Sequence, residues 1–133
     1  MTNYLKLEVV TPSRRVLESR AREVRIPGSL GELGVLPGHT PLLTSLGTGQ
    51  VTWFDGEMSG NLVVQGGFAE IQPDAVTVLA SVAETVEEID LEAARTSLAA
   101  AQEKLKTVSA EDFDEVDGEV RLSEARIDAA TRS

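Results

Sequence analysis

Phe68-Ala69-Glu70-Ile71-Gln72-Pro73-Asp74-Ala75-Val76-Thr77-Val78-Leu79 is the stretch that sets the fold class. Pro73 presets the φ that opens a tight turn, and Asp74 suits its second corner. The flanking runs 68–72 and 75–79 therefore read as two strands of one hairpin. Working outward, Gly66-Gly67 punctuates the chain, and 51–54 and 62–65 flank Asp55-Gly56. That dipeptide is a hairpin signal because both residues tolerate positive φ. Near the start, Leu5, Leu7 and Val9 alternate with Lys6 and Glu8, the period of a half-buried strand, and Thr11-Pro12-Ser13 ends it. Residues 20–26 alternate again, with Arg22, Val24 and Ile26 opposite Glu23 and Arg25. Gly28, Gly31, Gly34 and Gly38 read as tight loops between strands. Strands recurring about every ten residues argue for an antiparallel sandwich or barrel.

The period changes after Glu84. Leu91, Ala94, Leu98, Ala101, Leu105 and Val108 follow Ile89-Asp90 at steps of three and four, a helical seam with Asp90 as N-cap. The seam resumes past Ser109 as Phe113, Val116, Val120, Ser123 or Glu124, Ile127 and Ala130. Two helices joined by a short turn lie antiparallel. The expected organisation is an all-β antiparallel sandwich over 1–84 and a two-helix hairpin over 85–133. The hairpin's few large apolar residues, at about 1.5–3 kcal/mol each, do not offset ordering its backbone and side chains at about 1.5 kcal/mol per residue. It must dock on the β body or on a partner. A docking balance of a few kcal/mol is one that partners can reverse.

Charge is distributed unevenly. Residues 1–83 hold 8 acids against 6 bases, whereas residues 84–133 hold 14 against 6. So acidic a chain, without a basic stripe, is a poor match for nucleic acid. There are no cysteines, which excludes disulfides and thiolate metal sites. No apolar run approaches the length that crosses a bilayer, so direct membrane insertion is not expected. The alternating, charged start argues against a signal peptide. His39 is the single histidine, too little for a catalytic triad, and no zinc-ligand spacing exists. The glycines fail both phosphate-loop templates, because no Lys-Ser/Thr follows and no helix begins there. A catalytic role is unsupported; a binding or coupling role remains.

The nineteen residues from Ile26 to Thr44, Ile-Pro-Gly-Ser-Leu-Gly-Glu-Leu-Gly-Val-Leu-Pro-Gly-His-Thr-Pro-Leu-Leu-Thr, closely resemble the epsilon subunit of F-type ATP synthases. The resemblance continues through Gly47, Gly49-Gln50-Val51, Gly66-Gly67-Phe68-Ala69-Glu70-Ile71, residues 76–80, Ala83-Glu84 and Ile89-Asp90. It implies a β-sandwich that binds the gamma subunit and rests on the membrane c-ring. It implies a non-catalytic central-stalk rotor subunit that couples proton flow to ATP synthesis. The C-terminal hairpin would fold down or extend, the extended form restraining hydrolysis by meeting the alpha and beta subunits. By the same resemblance Glu32 faces the c-ring, and His39, Leu42 and Leu43 face gamma. The cytoplasmic face of a bacterial plasma membrane is the implied location, with the stromal face of a plastid thylakoid as the alternative.

Some members of that family bind ATP between the hairpin helices through Ile/Leu-Asp-x-x-Arg-Ala. Here Ile89, Asp90 and Ala94 match, but Ala93 replaces the arginine and Arg95 comes two residues late, about 200° around the helix. Arg126 is the counterpart of one arginine on the second helix. The expectation is no cofactor, with weak ATP binding at Asp90 and Arg126 disfavoured. Two other readings remain: a free-standing regulator that uses the hairpin to bind a helix, and a glycine-loop enzyme.

Overall fold

The computed structural model describes residues 3–132; Met1, Thr2 and Ser133, at the ends of the two expected segments, lie outside the described residues. Eight strands form first: β1 Leu5–Val10, β2 Arg15–Ala21, β3 Glu23–Gly28, β4 Gly31–Val35, β5 Leu42–Ser45, β6 Thr48–Asp55, β7 Met58–Gln72 and β8 Ala75–Thr85. A 3-10 turn at Val86–Glu88 leads to α1, Leu91–Leu105, and α2, Phe113–Thr131. One continuous sheet in the order β2-β1-β8-β7-β6-β3-β4 folds over itself into a sandwich, with β5 added against β7. Every pairing is antiparallel except β1 on β8, which is parallel.

The core follows the alternation. Leu5, Leu7 and Val9 of β1, Val24 and Ile26 of β3, Val51 of β6, Leu62, Val64, Ala69 and Ile71 of β7, and Val76 and Val78 of β8 are buried in one cluster. At about 25 cal/mol per Å² of apolar surface, this shared interior is the main term holding the two layers together.

Two turns match expectation. Pro73-Asp74 joins β7 to β8 with Gln72 opposite Ala75, and Gly56, at φ +66°, turns β6 into β7 with Asp55 opposite Met58. Two readings are corrected. Residues 20–26 are not one strand: Arg22 separates β2 from β3, and its N–H donates to the Phe54 carbonyl at 2.7 Å. Nor is the glycine-rich stretch only loop. Gly31 and Gly34 lie in β4, paired with Gly28 and Arg25; Gly34 takes an outward position that needs no side chain to pack, and Gly31 opens the strand at φ +138°.

The length of β7 depends on a kink. Gly66 and Gly67 have φ of +70° and +98°, so the strand turns out of one layer and into the other without losing its register on β8. The Gly67 carbonyl accepts from Leu46 N–H at 2.9 Å, and Gly66 N–H donates to the Gly47 carbonyl at 3.1 Å. Gly47 N–H in turn reaches the Pro27 carbonyl at 2.9 Å, so the kink anchors both loops at that end.

Asp90 caps α1 as expected, accepting from Ala93 N–H at 3.1 Å. The buried seam is Ala94 and Ala101 on α1 against Val116, Val120, Ser123 and Ala129 on α2. Of the expected seam, Phe113 alone stays exposed, because the helix proper begins there, after a turn closed by Asp112 N–H on Ser109 Oγ at 3.3 Å. The hairpin docks on the body through α2, which lies over β6 and β7. That outer face is mostly polar. Gln65 Nε2 donates to the Gly118 carbonyl at 3.1 Å, Gln50 Nε2 to Asp128 Oδ2, and Arg126 Nε to Glu84 Oε1 at 2.8 Å. Val63 is fully buried yet outside the sandwich core, since it alternates with Leu62 and Val64 onto the hairpin side.

Candidate partner-binding faces

A sheet face that met only water would carry polar side chains at its outward positions. The outer face of the layer β5-β7-β8-β1 does not. Phe68 on β7 lies opposite Leu79 on β8, and Leu79 opposite Val10 on β1. Phe68 is 54% exposed and Leu79 47%. Leu43 on β5, 66% exposed, points the same way, because it pairs with Glu70 and its neighbour-but-one Ser45 pairs with Phe68. Val10, Leu79 and Phe68 form an apolar row across three strands, and Leu43 extends it diagonally onto β5, beside Ser45 and Glu70. Beside Phe68 and Leu79 opens a shallow cavity of about 360 Å³ lined also by Val10, Pro12, Gly67 and Ser81. Large exposed apolar side chains grouped on a rigid surface mark a site that another molecule covers.

A second feature is the tip joining β3 to β4. Leu30 stands wholly exposed there. The backbone beneath it is fixed: Ser29 N–H donates to the Ser45 carbonyl at 3.0 Å, and the Ser29 and Ser45 hydroxyls are 2.6 Å apart. An aliphatic side chain held out on a braced hairpin tip is a point contact with little ordering left to lose on binding.

The residues singled out in the sequence fall into both places. Glu32 is exposed on β4, two residues past the tip. Leu43 joins the apolar row. Leu42 does not, since it pairs with Ile71 and faces the sandwich interior, exposed only because β5 is an edge. His39 is half-buried in the loop before β5, its Nδ1–H donating to the Thr40 carbonyl at 2.6 Å. Gly38 N–H ties that loop to the Pro73 carbonyl at 2.7 Å. Phe68, Leu79 and Leu30 were missed. The signal for the first two was in the sequence: Phe68 and Leu79 put large apolar groups at positions that the alternation of 68–72 and 75–79 assigns to the outside.

Asp90 and Arg126 do come together, across a pocket of about 200 Å³ where the sandwich meets the hairpin. Glu84 and Glu88 also line it, and Arg126 is already bonded to Glu84. Asp90 is committed to capping α1, and Ala93 lines the wall where a cation would be needed. Glu84 and Glu88 already occupy the guanidinium groups of Arg126 and Arg14, so neither cation is free for a polyphosphate. The missing charge-assisted contact alone should weaken nucleotide binding by about 1.5–3 kcal/mol, roughly 10- to 150-fold. Calorimetric titration of ATP into the full chain is expected to give no low-micromolar constant; one that did would refute this account of the pocket.

Comparison with known proteins adds to this geometry. Residues 4–86 match the family model for the ATP synthase delta/epsilon chain, beta-sandwich domain. An ATP synthase epsilon chain of Geotalea uraniireducens is 45% identical over 112 residues, 84% of this chain and 81% of that one. The epsilon chain of Myxococcus xanthus is 44% identical over 128 residues, covering 95% and 94% respectively. Among solved structures, a chain of the Euglena gracilis mitochondrial ATP synthase (OSCP/F1/c-ring) superposes with a TM-score of 0.84 at 23% identity, over 99% of this chain and 84% of that one. A chain of the Tetrahymena thermophila mitochondrial ATP synthase central stalk and c-ring gives 0.63 at 12% identity, over 96% of each.

Proposed function

The chain belongs to the ATP synthase delta/epsilon family, among the epsilon chains, which are not themselves catalytic, and from that premise we propose that it works as a coupling piece of the rotor. In this reading the sandwich fastens the gamma subunit to the c-ring, so that ion-driven rotation of the ring reaches the catalytic head. The observation that carries it is the apolar row Leu43, Phe68 and Leu79 on a rigid sheet face. Torque transfer needs a stiff body with broad attachment, and a sandwich bonded strand to strand with two-residue turns supplies the stiffness.

Gamma is assigned to the apolar row, with His39 and Leu42 at its edge. The c-ring is assigned to the β3–β4 tip, where Leu30 and Glu32 are presented. The chain then sits at the membrane surface through its partners, on the cytoplasmic face of a bacterial membrane or the stromal face of a thylakoid. No described helix is long and apolar enough to cross a membrane. Capture of gamma and c-ring by the tagged chain from native membranes tests the assignment. A chain that travels alone would instead favour a free-standing regulator.

The hairpin supplies the regulatory part. Its hydrogen bonds to the body are few and its buried apolar contact on that face is Val63, so an alternative partner that offers equal bonds and a comparable apolar contact competes on even terms. Its charge argues that restraint of hydrolysis is weak, because 14 acids against 6 bases over 84–133 oppose docking on acidic surfaces of the catalytic head. Removing the hairpin is expected to change the ATP hydrolysis rate of the assembled enzyme by less than about twofold. A large rise on truncation would show that local placement of the bases outweighs net charge.

A further inference from the structure

The segment between sandwich and hairpin is gripped by a residue far away in the sequence. Arg14 sits in the turn between β1 and β2, which is closed by Thr11 N–H on the Arg14 carbonyl at 2.9 Å and Arg14 N–H on the Thr11 carbonyl at 3.3 Å. Its Nη2 donates to both carboxylate oxygens of Glu88, at 2.8 and 2.7 Å. Glu88 Oε1 also accepts from Thr85 N–H at 3.1 Å and from the Thr85 hydroxyl at 2.8 Å. One carboxylate thus joins the first β-turn, the end of β8 and the 3-10 turn. The Arg14 bond, and after it those from Thr85, hold that carboxyl down at about 2, so it stays ionised across the physiological range.

Past Glu88 the bonding changes owner. Ile89 N–H closes the 3-10 turn onto the Val86 carbonyl at 3.1 Å. Asp90 belongs to the helix instead, its carbonyl accepting from Ala94 N–H at 3.0 Å and its carboxylate from Ala93 N–H. Both residues have extended backbones. The ties that secure the hairpin, from Gln50, Gln65 and Glu84, all end on residues beyond Asp90; the Arg14–Glu88 pair does not.

We propose that the Arg14–Glu88 pair is a strap that keeps residues 85–89 on the body when the hairpin leaves, so that the hairpin swings about the joint between Ile89 and Asp90. Arg14 is then a positioning residue for the swing. The proposal rests on the reading of the hairpin as detachable.

Native-state hydrogen exchange on the full chain tests both and separates them. In the unaltered protein the helix amides are expected to exchange faster than those of Thr85 and Ile89, which exchange faster than Val64 and Val78 in the core. Arg14→Ala should speed Thr85 and Ile89 about fivefold, leave Val64 and Val78 unmoved, and be partly reversed in Arg14→Lys, which keeps one charged nitrogen for the carboxylate but not the reach of the planar guanidinium. The strap is overturned if Thr85 and Ile89 exchange at the helix rate in the unaltered protein, or ignore Arg14→Ala. Helix amides that exchange only as slowly as Val64 would overturn the detachable hairpin, and the strap with it.

Discussion

Gly67→Ala is expected to lower stability by about 3–4 kcal/mol, and the melting temperature by roughly 10 °C or more. Two costs combine. At φ +98° an L side chain is strained whatever the space, and a Cβ built there would lie 2.0 Å from the Leu79 carbonyl oxygen and 3.0 Å from Ala80 Cα. Both obstacles are backbone of β8, so relief requires pulling β7 off its partner strand. The Gly67 carbonyl also holds Leu46 N–H, and Gly66 holds Gly47, so displacement travels into the loops that brace the β3–β4 tip. Gly34→Ala is the control, because its Cβ meets nothing within 4 Å and its φ is not positive. Urea unfolding of the two variants decides the matter. Equal midpoints would mean that the kink is not what joins the layers.

That kink also explains what the sequence could and could not reveal. Gly66-Gly67 reads as a break between strands, yet β7 runs unbroken from Met58 to Gln72. A pattern of polar and apolar residues reports which side of a sheet faces inward. It does not report that a strand passes from one layer to the other, since that depends on a backbone bend stabilised by bonds to Leu46 and Gly47, distant in the chain. The same limit hid β4. Its outward positions are Glu32 and Gly34, so alternation has almost nothing to register. Elements whose apolar period is strong, such as β1, the Pro73-Asp74 hairpin and α1 with its Asp90 cap, were legible residue by residue. For the candidate faces, Leu43 and Glu32 were within reach through resemblance. Leu30 was not, because a lone leucine in a glycine-rich run carries no sign of being held fully outside.

Exchanging Phe68 and Leu79 for threonine is the second large effect, and it separates binding from folding. Threonine keeps the strand propensity of both positions while removing the aromatic ring and the branched alkyl end. Both side chains are about half exposed and point away from the core, so unfolding of the free chain should shift by no more than about 1 kcal/mol. Binding should respond differently. A side chain at the centre of an apolar patch that becomes dry on assembly contributes about 2 kcal/mol or more, which is roughly a 30-fold loss of affinity for gamma from Phe68→Thr alone. The double variant need not lose the sum, because Phe68 and Leu79 stand opposite each other on the β7–β8 ladder and line the same cavity. Leu30→Ser provides the contrast. It lies on a tip in the other layer, so it should spare the hold on gamma and weaken the hold on the c-ring. If the double variant melts like the unaltered chain and still captures gamma with unchanged affinity, the apolar row is not the attachment face, and the stiffness of the sandwich must be transmitted through some other surface.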